Sequence, residues 1–169
     1  MKKIIISFLC FIMFLACDVP EYDFNEFYDA DPPALVFQPF LKKVVAGSVN
    51  RVDIEALEIT GTAGMYIKME YDPDFVAIKE VVAGEFFAST NQPMAIVEDQ
   101  GTYIEIYIVY LSDGISQSAT GSGVIVEVAF ESLKAGKSQL NISDQSKVVD
   151  ANNEGLVMNT FGYFIIDAR

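Results

Sequence analysis

From residue 34 onward the chain is organised by alternation of apolar and polar positions. "MYIKMEY" alternates without a break, and so, less strictly, do "TYIEIYIVYL" from Thr102 and "VIVEVAFESL" from Val124. Period two sends successive side chains to opposite faces of a strand, so one face of each is expected to be buried. Met65, Ile67, Met69 and Tyr71 then point inward, and Tyr66, Lys68 and Glu70 outward. Ile104, Ile106 and Ile108 point inward, and Tyr103, Glu105 and Tyr107 outward. Val124, Val126, Val128 and Phe130 share a side, leaving Ile125 and Glu127 on the outer one. "ALVFQPFLKKVVAG" and "SVNRVDIEALEITG" read as two strands around a Gly-Ser turn, the second with Val49, Val52 and Ile54 buried. "PMAIVEDQ" pairs with "TYIEIYIVYL" as a hairpin around a Gly turn. "FVAIKEVVAG", "SQLNIS", "KVVD" and "LVMNTFGYFIID" complete the strands, and no segment has the period of a four-turn helix. Short strands punctuated by Gly, Asn and Asp predict an all-β, antiparallel sandwich without an internal repeat.

Two turns are rich in carboxylates. In "YDPD", Asp72 and Asp74 can bond their own backbone and Pro73 presets φ, so this is a structural corner. "DANNEG" places Asp150, Asn152 and Glu154 at alternate positions with Gly155 sixth, as a calcium loop does. Its twelfth position is Phe161, which cannot ligate, so a β-turn is expected and no metal site. "GTAG" and "TGSG" lack the strand–loop–helix context of a phosphate loop.

The N-terminus carries a different pattern. Lys2 and Lys3 precede the apolar run Ile4 to Ala16, which is short for a membrane span and suited to a signal peptide. The run ends in "FLAC", which resembles the lipobox of bacterial lipoproteins, with Phe14 where Leu is usual. The resemblance implies removal of residues 1–16 and diacylation of Cys17 in an extracytoplasmic envelope protein, on the outer membrane or cell surface. Residues 17–33 then form a lipidated acidic tether, closed by Pro32 and Pro33. Its aromatics Tyr22, Phe24, Phe27 and Tyr28 lead us to expect that part of it packs back on the domain. Residues 34–169, about 135 residues, form one domain of ordinary size.

Composition narrows the chemistry. The 2 cysteines, Cys10 and Cys17, leave no disulfide framework in the mature chain, and there are 0 His. Triads that need His and His-ligated zinc are therefore excluded. A formal net charge of −13 opposes binding to phosphate backbones, so nucleic acid is not an expected partner. It suits a module held at a membrane only through acyl chains. Glu105 and Glu127 are a carboxylate pair on a flat strand face without a cleft, which reads as surface charge rather than glycosidase chemistry. No catalytic group and no cofactor are expected.

Four segments in order, "VAGSVNRVDIEALEI", "AGMYIKMEYDPDFVAIKEVVAGEFF", "GSGVIVEVAFESLKAGKSQLNIS" and "KVVDANNEG", resemble the cohesin domain. The resemblance covers roughly Leu35 to Asp167. It implies a nine-stranded antiparallel jelly-roll β-sandwich and a non-catalytic adhesion module. Cohesins bind the dockerin modules of polysaccharide-degrading enzymes, so a dockerin-like protein is the implied partner. By this resemblance the strands of Tyr66, Tyr103 and Ile125 are neighbours in one sheet. That assembles Tyr66, Lys68, Glu70, Tyr103, Glu105, Tyr107, Ile125 and Glu127 into one partner-binding face, with an apolar, aromatic centre and a charged rim. Several dockerin-binding cohesins carry Asn and Asp where this chain has Gly64 and Tyr66, so the partner is expected to differ. The alternative is a carbohydrate-binding module with Tyr66, Tyr103 and Tyr107 as stacking platform, against which the absence of Trp counts. The loops "STNQP" and "SDGISQSATGSG" are the next candidate contacts.

The anchor is directly testable. Cys17→Ser is expected to abolish partitioning into the detergent phase and labelling by a fatty-acid analogue, because stable anchoring needs more than one acyl chain. Equal partitioning of mutant and wild type contradicts the lipoprotein reading.

Overall fold

The structure, a computed structural model, describes residues 30–87, 93–109 and 118–169. The signal segment, Cys17, most of the tether, most of "STNQP" and the first part of "SDGISQSATGSG" lie outside the described residues. The described residues form eleven strands and one turn of 3-10 helix, Glu85–Phe87. In chain order these are β1 (Ala34–Gln38), β2 (Leu41–Val44), β3 (Val49–Glu70), β4 (Val76–Ala83), β5 (Met94–Asp99) and β6 (Tyr103–Val109). They continue with β7 (Ala119–Ser132), β8 (Gly136–Ile142), β9 (Lys147–Asp150), β10 (Thr160–Phe161) and β11 (Tyr163–Ala168). The eleven strands differ from the expected segments in three places: "ALVFQPFLKKVVAG" divides at Pro39 into β1 and β2, "SVNRVDIEALEITG" and "MYIKMEY" run together as β3, and "LVMNTFGYFIID" divides into β10 and β11. β1 pairs with β3, whereas β2 pairs in parallel with β11.

β3 is 22 residues long and belongs to both layers of the sandwich. Its first half lies between β1 and β7, and β4 and β10 extend that layer outward. Its second half lies between β6 on one side and β9 and β8 on the other. β5 and the β11–β2 pair extend this second layer. The parity of the buried side chains records the crossing: Val52, Ile54 and Ala56 are buried in the first half, Met65, Ile67 and Met69 in the second. Between them the ladder to β7 shifts register twice. Gly61 takes φ +74°, a left-handed conformation that costs glycine little. Hydroxyls replace the missing ladder acceptors at the corner. Glu58 N–H donates to Ser122 Oγ and Gly61 N–H to Thr120 Oγ1, both at 2.9 Å. "TGSG" is therefore the brace of this corner. Val49, expected inside, is exposed, because it opens β3 at the end of the sandwich.

The hydrophobic core fills the space between the layers. Phe130 packs edge-on against Phe164, with ring centroids 5.6 Å apart, and Phe164 lies 5.9 Å from Phe37. Ile67, Ile106 and Phe130 are fully buried in the same cluster. At "YDPD" the Asp72 carboxylate accepts Asp74 N–H at 2.9 Å and the Asp72 carbonyl accepts the N–H groups of Phe75 and Val76. In "DANNEG" Asp150 Oδ1 accepts Asn152 N–H and Glu154 N–H, each at 2.8 Å. Both carboxylates are occupied by their own turn.

Phe130→Ala is expected to destabilise the domain by about 3–5 kcal/mol, from lost burial and the cavity left between the sheets. A denaturant midpoint that does not move contradicts this packing.

Candidate functional site

The ladders bring the outward residues of β5, β6, β3 and β9 into rows. One rung aligns Ile96, Tyr107, Tyr66 and Lys147. The rung above aligns Met94, Val109, Gly64 and Val149. The rung below aligns Glu98, Glu105 and Lys68, and the next aligns Tyr103, Glu70 and Asn141. Directly opposed residues of an antiparallel pair share a face, so the surface is apolar on two rows and charged below them.

The charged rows are knit to the aromatic one. The rings of Tyr66 and Tyr107 lie 5.2 Å apart at 39°. Tyr66 O–H donates to Glu105 Oε1 at 2.7 Å. Lys68 Nζ sits 4.6 Å above the Tyr103 ring, 3.6 Å from Glu70 Oε1, and donates to Gln145 Oε1 at 3.0 Å. Glu98 and Glu105 are like charges directly opposed, which alone would weaken the rung. The Tyr66 hydroxyl and the neighbouring Lys68 offset this on the Glu105 side. Partial burial of the Tyr66 phenol, followed by its bond to Glu105, pushes its pKa up to about 12.

Next to the tyrosines lies an open groove of about 700 Å³, lined by Gly64, Tyr66, Tyr107, Val109, Lys147, Val149, Asn153 and Gly155 among others. Gly64 forms its floor, where a Cβ would come within 3.3 Å of the Ile108 carbonyl oxygen and 3.4 Å of Val149 Cγ2. Met94, Ile96 and Val109 stand exposed beside it, at 48%, 49% and 42%. The face offers flat aromatic area, apolar contact and a line of carboxylates.

Of the eight residues expected on one face, six share it: Tyr66, Lys68, Glu70, Tyr103, Glu105 and Tyr107. Tyr107 is exposed, while Tyr66 and Tyr103 are half-buried, because they pack on Tyr107 and beneath Lys68. Ile125 and Glu127 do not belong to it. Their strand, β7, pairs with β3 and β4 in the opposite layer. Ile125 is 0% exposed, a correction with a definite cause. Ile54 pairs with Val126 and Glu55 with Val124, so Ile125 is the extra residue of a bulge and leaves the alternation. Glu127 lies on the outer face of the first layer, where it pairs with Arg51, which also reaches Glu80 at 3.2 Å. Sequence reasoning missed Met94, Ile96, Val109 and Val149. In "MAIVED" the residues on both parities are apolar, so only the register with β6 says which side faces out.

No family model matches the sequence, and no curated protein does. Solved structures do. A type II cohesin domain from the cellulosome of Acetivibrio cellulolyticus is 16% identical with a TM-score of 0.65, over 79% of this chain and 93% of that one. A non-cellulosomal cohesin from the archaeon Archaeoglobus fulgidus is 14% identical with a TM-score of 0.63, over 79% and 89%. A chain of a type I cohesin–dockerin complex from Clostridium thermocellum, Coh-OlpC with Doc435, is 14% identical with a TM-score of 0.62, over 85% and 99%. The fold is the cohesin fold, a jelly-roll β-sandwich.

The raised phenol has a pH consequence. A pKa near 12 against an ordinary value of 10 means the folded state favours the neutral Tyr66, stabilising fully below pH 10 and losing that contribution as pH rises towards 12. Tyr66→Phe is expected to flatten the loss of stability across this window and to remove one late-titrating phenol from the absorbance titration. An unchanged late phase contradicts the Tyr66–Glu105 bond.

Proposed function

We propose that this chain is a non-catalytic adhesion module that binds a protein partner on the outer face of β5, β6, the second half of β3, and β9. The observation that carries the reading is the exposed apolar surface around Tyr66 and Tyr107, bordered by a charged row, on a domain with the cohesin fold. Aromatic anchors surrounded by a polar rim concentrate binding energy in protein interfaces. Several solved structures with this fold are cohesin–dockerin complexes, which favours a dockerin-like partner and a link to polysaccharide degradation. Gly64 and Tyr66, in place of the Asn and Asp of several dockerin-binding cohesins, argue for a partner with a different contact set. The "FLAC" segment supports placement in a bacterial envelope through a lipid on Cys17.

A second reading is a glycan-binding platform. The observation in its favour is the Tyr66–Tyr107 pair, which presents aromatic surface beside an open groove.

Tyr107→Ala and Ile96→Ala are expected to leave the melting temperature nearly unchanged and to weaken partner capture by about 1–3 kcal/mol each. Capture from the native envelope and secretome, run beside a polysaccharide-retardation gel, separates the two readings. Unchanged capture and unchanged glycan retardation in both variants contradict this face as the site.

A further inference from the structure

β5 ends the second layer, and among the described residues it pairs only with β6. We propose that the partner binds by adding an extended segment to this edge as a further strand, antiparallel to β5. Its apolar side chains lie opposite Met94 and Ile96, and a Lys or Arg lies opposite Glu98. The proposal rests on the protein-partner reading above and specifies how the partner engages.

The β5–β6 ladder fixes which backbone groups are free. It keeps one register from Met94↔Val109 to Asp99↔Ile104, without a shift. Gln100, next in that register, donates its N–H to the Tyr103 carbonyl at 2.9 Å. Hydrogen-bonded and non-hydrogen-bonded pairs alternate along an antiparallel ladder. The N–H and C=O groups of Met94, Ile96 and Glu98 therefore face β6, and those of Ala95, Val97 and Asp99 face the open side. Successive open groups stand roughly 7 Å apart, the repeat that another strand matches.

Other outer strands carry features that oppose strand addition. β4 is bulged between Ile78 and Glu80 and presents Lys79 and Glu80. β2 has four residues, two of them Lys42 and Lys43, and β10 has two residues. β5 holds no Lys, Arg or Pro and no bulge, so its edge is unprotected. Val97 opposes the buried Ile106 and is still 39% exposed. With Met94 and Ile96 exposed on the outer side, an added strand gains apolar contact on both of its faces.

Glu98 selects the sign of the partner. It directly opposes Glu105. Glu105 accepts the Tyr66 hydroxyl and lies opposite Lys68, whereas Glu98 has no ion pair and no hydrogen bond among the described residues. The Asp99 carboxylate is already occupied by the Tyr71 hydroxyl and Gly101 N–H, each at 2.8 Å. A cation opposite Glu98 on the added strand pairs with it and relieves its repulsion with Glu105. The net charge of −13 favours the same sign in the partner, and it counts against a second copy of this chain, whose β5 offers no cation.

The test uses two synthetic strands, acetyl-Thr-Lys-Val-Val-Thr-Val-amide and the same peptide with Glu in place of Lys. Aligned antiparallel, the Lys falls opposite Glu98 and the valines opposite Val97, Ile96 and Met94. Binding to the full chain is followed by amide shifts and hydrogen exchange. The Lys peptide is expected to slow exchange at Ala95, Val97 and Asp99. At low salt it is expected to bind about fivefold more tightly than the Glu peptide, a preference that Glu98→Lys inverts. Val97→Pro removes a free N–H and no ladder bond, so it is expected to keep the melting temperature and to abolish the effect of the peptide. If Val97→Pro lowers the melting temperature, Glu98→Lys decides alone. Equal affinities, or no protection by either peptide at millimolar concentration, overturn the inference. So does slow exchange at these three amides in the free chain at every concentration, which means that the chain itself covers the edge. Protection that grows with protein concentration without peptide assigns the edge to a second copy and also overturns it. None of these outcomes touches the partner reading, which stands or falls with Tyr107→Ala and Ile96→Ala in the capture and glycan-retardation experiments.

Discussion

The passage of β3 from one sheet to the other is the constraint on which the rest of the molecule depends. A strand that crosses between facing layers must keep apolar side chains inside both, and alternation alone cannot do this. The parity of the buried positions changes between Ala56 and Met65. The change is absorbed where the ladder to β7 slips and Gly61 adopts a left-handed φ. Backbone groups released by the slip would cost free energy if left bare, and Ser122 and Thr120 supply partners to the N–H groups of Glu58 and Gly61. Everything that follows in the second layer takes its register from this corner. It sets which side of β3 meets β6, and hence that Tyr66 lies beside Tyr107 and not beneath it.

Electrostatics then divide the surface. The outer face of the first layer holds Arg51 with Glu80 and Glu127, and Lys79 with Glu131 at 2.6 Å. These are exposed pairs, which add little stability and keep the face soluble. The outer face of the second layer is unlike it. Its carboxylates lie along two rows, and above them Met94, Ile96, Val109 and the tyrosine pair remain uncovered by other described strands. On a chain with a net charge of −13, an apolar patch of this kind is a place where charge does not repel a docking surface.

The glycine of the groove and the anchoring of residues 31–33 depend on different parts of the chain. Gly64 packs closely, with room for a Cβ only at 3.3 Å from the Ile108 carbonyl oxygen and 3.4 Å from Val149 Cγ2. Residues 31–33 are held by Asn159 and Thr160.

The sequence by itself determined the all-β class, the inward face of each cleanly alternating strand and the β5–β6 hairpin. It did so because period two is a local property, read from neighbouring residues. It also determined that Tyr66, Lys68 and Glu70, and likewise Tyr103, Glu105 and Tyr107, point outward from their own strands; that the two strands lie side by side was implied only by the resemblance, and the β3–β6 ladder shows it. Only the tertiary structure decided the remainder. Ile125 is buried because a bulge inserts one residue and turns its side chain inward, and a bulge is defined by a partner strand that no local pattern contains. β7 sits in the opposite layer because β3 serves both layers and carries β7 on its first half, β6 on its second. Met94, Ile96, Val109 and Val149 became one surface for the same reason: rows across a sheet are made by register between strands distant in sequence, and register is fixed only when the layers close on a common core.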